Sequence, residues 1–152
     1  MYSNKKKYEY ITFSCILLLV LMWSYASITK LTEYQRFVAQ MQLVPLVWLQ
    51  EIAPILAWLL PLVELGIVVL LWKENTRILG CYFSFFLLLA FELYIVILLA
   101  SGLELPCTCG GIISKLSWKA HLFFNAVYIA LSFIPIYLFK THNDTPLRRI
   151  YS

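Results

Sequence analysis

Cys107 and Cys109, separated only by Thr108, are the side chains of this sequence best suited to chemistry. They stand in a short polar stretch, Leu105-Pro106-Cys107-Thr108-Cys109-Gly110-Gly111, between two long apolar runs. A disulfide between cysteines this close closes a very small ring, and strained disulfides are the oxidising, labile ones. Such a pair cannot staple distant parts of a fold, so the spacing points to thiol–disulfide exchange with another molecule. Gly110 and Gly111 free the backbone for the approach of a partner sulfur. Pro106 restrains the entry to the motif. A plainer reading is two free thiols or an inert local disulfide. In a third reading, Cys107, Cys109 and His121 supply two sulfurs and an imidazole to Cu(I) or Zn. No second cysteine pair lies nearby, and no metal is assigned.

His121 follows the pair by one short segment. It is a candidate to stabilise a thiolate or take its proton; the alternative is an ordinary residue at a helix end. Lys30, Lys115 and Lys119 are candidates to favour the thiolate electrostatically, or simply mark the membrane interface. Cys15 and Cys81 lie early in apolar runs, far from the loop. Each reads as a small core residue.

The elements that position these groups follow from composition. Of 152 residues, 62% are hydrophobic and 13% charged, against roughly 25% charged in soluble domains. A soluble chain of this size has no means of hiding so much apolar surface, whereas lipid covers it. The net charge of +4 does not indicate nucleic acid, because the basic residues sit at the ends of apolar runs. There is no Gly-rich phosphate loop, internal repeat or low-complexity tract. Four runs, at about 10–28, 52–72, 78–100 and 122–139, approach the roughly 20 residues a spanning helix needs. In lipid the backbone must satisfy its own hydrogen bonds, so these runs are helices. The predicted fold is all-α: a polytopic membrane four-helix bundle with a short outer interfacial helix. It forms a single transmembrane domain over 1–152, with a cytoplasmic tail at 140–152.

Lys5, Lys6 and Lys7 precede the first run, as in a signal peptide. The run is too long for an h-region, and Ser24-Tyr25-Ala26 makes a poor cleavage site, so it reads as a retained helix. With the N-terminus inside, eight basic residues fall on inner segments and four, Lys30, Arg36, Lys115 and Lys119, on outer loops. This favours both termini in the cytoplasm and the cysteine loop outside, the oxidising side in bacteria.

Between the first two runs, Thr32 and Gln35 have capping-box spacing, with Thr32 as the N-cap. Tyr34, Phe37, Val38 and Met41 recur at helical spacing opposite Glu33, Arg36 and Gln40, as in an interfacial helix. Glu64 and Glu92 fall inside apolar runs, where an acidic residue normally turns inward and finds a partner. They line a ligand or proton site, or they bond helix to helix. His121, Asn125, Tyr128 and Ser132 form one stripe of the fourth helix. Pro54 and Pro61 interrupt the second helix, Pro61 just before Glu64, suggesting a kinked cavity wall. Trp23, Trp48, Trp72 and Trp118 read as an interface belt.

Taken with the Ser27–Leu31 exit of the first helix, the Pro61-Leu62-Val63-Glu64-Leu65-Gly66 segment, and the cysteine loop followed by Trp118 and Asn125, the chain resembles the MauE group of DoxX-like membrane proteins. These are small four-helix proteins associated with methylamine utilisation and thiol redox. The family loop is typically Cys-Gly-Cys-aromatic-Gly; here Thr108 replaces the glycine and Gly110 the aromatic. The resemblance implies a bacterial inner-membrane component for disulfide formation or maturation of exported proteins. Cys107 and Cys109 would be its redox pair, and Glu64 and Asn125 its matched polar positions. The expected partner is a thioredoxin-like or exported protein on the outer face. By analogy with other four-helix membrane oxidoreductases, a quinone near Glu64, Glu92 and Asn125 would accept the electrons. The rival expectation is a non-catalytic assembly or scaffold subunit whose loop is a docking element. A transporter ranks behind both, since the polar groups are scattered.

Overall fold

Each apolar run forms a helix, and each helix is longer than the run that predicts it. In the computed structural model, which describes residues 2–44, 46–100 and 118–143, α1 spans Tyr2–Thr32, α2 Tyr34–Gln42, α3 Val47–Trp72, α4 Arg77–Ala100 and α5 Trp118–Asn143. One 3-10 turn, Glu74–Thr76, joins α3 to α4, and no strand occurs among the described residues. Helices α1, α3, α4 and α5 are long and apolar enough to cross a membrane. The protein is therefore an all-α polytopic membrane bundle.

The four long helices form a ring. α1 packs on α3 and α5, and α4 lies between α3 and α5. The 3-10 turn reverses α4 on α3, and the pairs Phe85–Phe133 and Glu92–Asn125 run in opposite order along α4 and α5, so the C-terminus of α1, the N-terminus of α3, the C-terminus of α4 and the N-terminus of α5 share one end. This is the end that carries α2. Large apolar side chains such as Ile55, Trp58, Leu62, Phe86 and Phe123 cover the outside, a surface suited to acyl chains rather than water. The interior holds Ile16, Leu19, Met22, Trp23, Ile67, Leu71, Cys81, Leu88 and Ile136 as one cluster. At the end away from α2, α3 and α4 approach closely, and a Cβ added to Gly80 would stand 2.9 Å from the Leu71 backbone nitrogen.

α2 departs from its expected cap. Thr32 is the last residue of α1, and its hydroxyl donates back to the carbonyls of Ile28 and Thr29. Glu33 occupies the N-cap position without a side-chain capping bond. A threonine inside a helix finds an acceptor one turn back, so α1 keeps Thr32 and the capping box never forms. The apolar face is as expected: Phe37 and Met41 pack on Ala53 and Ala57 of α3, with Tyr34 and Val38 alongside. Gln40, assigned to the polar face, is buried.

Trp23 is a second departure. It lies inside the bundle, and its indole N–H donates to Ser84 Oγ of α4 at 2.9 Å. A tryptophan needs a polar partner for one atom only, and an inward serine on a neighbouring helix serves as well as a headgroup. Trp48 and Trp72 are exposed near the ends of α3, as an interface belt requires.

Candidate functional site

The polar side chains of the spanning helices gather inside the bundle. A Cα–Cβ bond tilts toward the N-terminus of its helix, so Lys30, near the end of α1, runs back into the span. Glu64 on the opposed helix α3 leans the other way to meet it. Lys30 Nζ donates to Glu64 Oε1 at 2.6 Å. The ammonium side chain is 6% exposed and the carboxylate 0%. One turn earlier on each helix, Ser27 Oγ donates to the Pro61 carbonyl at 3.0 Å. Two polar ties thus fasten α1 to α3. Glu64 lies about 12 Å along α3 from Trp72 at the helical rise per residue, well within a hydrocarbon core.

Aromatic rings close around the ammonium. Phe37 of α2 and Phe91 of α4 each place a ring centroid 5.9 Å from Lys30 Nζ, within the range of a cation–π attraction. From α5, His121 is buried and close enough to feel the Lys30 charge. Asn125, one turn on and also buried, hydrogen-bonds the Glu92 side chain of α4. Glu64 Oε2 and Glu92 Oε2 are both buried and have no hydrogen-bond partner among the described residues. In low dielectric an ion pair offsets its desolvation only when the remaining lone pairs are satisfied as well. An interior kept for stability alone would carry apolar side chains here.

The sequence-derived candidates divide as follows. Glu64 and His121 belong to the surroundings of Lys30, and Glu92 with Asn125 forms an adjoining pair on α4 and α5. Three of the stripe residues on α5, His121, Asn125 and Ser132, are buried, and Tyr128 packs partly against the core. Cys107 and Cys109 lie outside the described residues, as do Lys115 and the loop motif as a whole. Cys15 and Cys81 are buried free thiols of the interior. No group of three or more metal-ligating side chains occurs among the described residues.

Lys30 is the main residue that sequence reasoning misplaced. A lysine just beyond an apolar run reads as an outer-loop charge; the helix continues to Thr32 and the side chain turns inward. One signal was available. Glu64 in an apolar run calls for a cation, and Lys30 stands nearest to the apolar part of α1. Ser27 and Ser84 gave no such signal, since serine is common in spanning helices.

No curated protein and no solved structure matches the chain. The family model described as methylamine utilisation protein MauE matches residues 8–138, a stretch that enters all four spanning helices and holds the whole buried polar cluster, and the chain therefore belongs to the MauE family.

Proposed function

We propose that this MauE-family protein is a membrane thiol–disulfide redox protein that supports disulfide formation or maturation of exported proteins. The carrying observation is the Cys107-Thr108-Cys109 pair in residues 101–117, which join α4 to α5. That connection leaves the bundle at the end where α2 and His121 stand. One thiolate of the pair exchanges with a cysteine of a thioredoxin-like or exported partner through a mixed disulfide, and the other resolves it. His121, in the first turn of α5, is the histidine that follows the pair most closely in sequence and is the candidate to exchange a proton with the thiols. In this reading the protein sits in a bacterial cytoplasmic membrane with both termini inside and the loop outside. It acts as a thiol–disulfide oxidoreductase.

The test is the redox state of Cys107 and Cys109 in cells, in a Cys15→Ala/Cys81→Ala background. Thiols are trapped with acid and labelled with a bulky maleimide, then labelled again after a brief pulse of reductant and recovery. A pair that is oxidised, reduces readily and reoxidises within minutes supports the reading. Cys107→Ser and Cys109→Ser extend the test, because one of them should accumulate a mixed disulfide with the partner. Full function without either thiol would instead favour a scaffold subunit.

A further inference from the structure

The two ends of the bundle differ in how their basic side chains are neutralised. Toward the α2 end, Lys30 is paired with Glu64 and Arg36 with Glu33. The opposite end carries Lys5, Lys6, Lys7, Lys73, Arg77 and Lys140, against only Glu9 and Glu74 among the described residues. No ion pair joins them among the described residues. Arg77 Nε donates to the Leu71 carbonyl at 3.4 Å, and its two Nη groups have no partner among the described residues. We propose that the outward face shared by α4 and α5 at this end binds an anionic phospholipid, with the phosphate between Arg77 and Lys140 and the acyl chains along Phe86, Phe133 and Tyr137.

Register brings the two cations together. Phe85 meets Phe133 with ring centroids 6.1 Å apart, and Glu92 bonds Asn125. Carried on toward this end, the same antiparallel register puts Arg77 about level with Thr141, beside Lys140. Lys140 also follows Phe133 by two helical turns, so it lies on the stripe of α5 that faces Phe85. Below the two cations the surface is aromatic. Phe86 and Phe85 stand 5.5 Å apart, Phe85 and Phe133 6.1 Å, and Phe133 and Tyr137 6.3 Å. Phe86, Phe133 and Tyr137 are all exposed, and this ring series ends one turn short of Lys140.

The charge of the site selects its occupant. Lysine and arginine lay their stems along apolar surface and keep the charged tip at the level of the head groups. A guanidinium on one helix and an ammonium on the next seat a phosphate diester, the first as a fork and the second as a point charge. A zwitterionic head group would bring a further cation to this crowded positive end, whereas an anionic one neutralises it. A soluble anion would leave the exposed rings without a partner, so a lipid suits both halves of the site. Nothing in it draws on Cys107 or Cys109, and it stands apart from the redox reading.

The experiment is native mass spectrometry of the full chain released from detergent micelles, titrated with dioleoylphosphatidylglycerol or dioleoylphosphatidylcholine. Expected is retention of phosphatidylglycerol about tenfold tighter or more than that of phosphatidylcholine. Lys140→Gln should weaken that retention about fivefold, and Arg77→Gln/Lys140→Gln about twentyfold. Both should keep the helical circular dichroism of the parent. Lys140 is exposed near the end of α5, so its substitution alone decides the matter if the double variant does not fold. Arg36→Gln, at the α2 end, should retain the lipid like the parent. Phosphatidylglycerol with a diazirine in one acyl chain should label peptides that hold Phe86, Phe133 or Tyr137. Glycerol 3-phosphate in large excess should not displace it. Equal retention of the two lipids, an equal loss in Arg36→Gln, undiminished retention in Lys140→Gln, or labelling confined to the α2 end overturns the site. Displacement by glycerol 3-phosphate overturns it too, since a bare phosphate would then be the ligand.

Discussion

Lys30 Nζ and Glu64 Oε1, 34 residues apart in sequence, meet at 2.6 Å inside the bundle and join α1 to α3. Both partners are taken out of water, so neither is tolerated alone. Removing one partner of a buried pair costs about 3–5 kcal/mol, whereas replacing both with apolar side chains of similar volume is often neutral. Lys30→Met and Glu64→Leu should each destabilise the protein by about that amount, and the double substitution should recover most of the loss. Unfolding in mixed detergent micelles measures all three. A double variant no more stable than either single would show that the pair is not the coupling element.

The two glycines of α3 and α4 should behave in opposite ways. A methyl group on Gly80 would press on the Leu71 backbone nitrogen at 2.9 Å, and backbone cannot step aside. Overpacking of that kind costs about 1–3 kcal/mol, so Gly80→Ala should destabilise the α3–α4 hairpin. At Gly66 nothing lies within 4 Å of the added Cβ, and Gly66→Ala should gain about 0.5–1 kcal/mol from helix propensity. Thermal stability in one detergent, compared side by side, checks the sign of each.

Trp23 and Ser84 tie α1 to α4 through a single buried hydrogen bond of 2.9 Å. Ser84→Ala leaves the indole N–H without its acceptor in an interior that water does not reach. The loss should be about 1–3 kcal/mol, the usual penalty for a stranded buried donor. Trp23 emission should shift as its neighbour changes. An unchanged unfolding midpoint would mean that the indole finds another acceptor.

The spanning helices were legible because their cause is local. A run of about 20 apolar residues has one low-energy state in lipid. The inward turn of His121, Asn125 and Ser132 was legible for a similar reason, since a stripe of polar groups cannot face acyl chains. Lys30 was not. Its placement depends on where α1 ends and on which way a long side chain folds back, and both are settled by Glu64 on another helix. Trp23 failed in the same manner, because the serine that holds its N–H lies 61 residues away. Thr32 turns on a weaker effect: a hydroxyl serves a helix interior or a cap, and α1 extends to include it.

Cys15 and Cys81 provide the control on which any study of the loop thiols depends. Cys15 is 5% exposed and Cys81 0%, and both are free. A thiol sealed among apolar side chains meets neither a bulky maleimide nor a partner protein. In the folded protein both should therefore stay unlabelled for as long as the bundle holds, and both should label once it is opened with a denaturing detergent. Replacing each with alanine removes one buried sulfur, and the small cavity left behind should cost less than the roughly 2–5 kcal/mol of a leucine-sized truncation. The Cys15→Ala/Cys81→Ala protein should thus remain helical, and any redox cycling of Cys107 and Cys109 should persist in it. If cycling stops while the fold is intact, electrons pass through the interior cysteines. The loop pair would then be one half of a longer relay across the bundle.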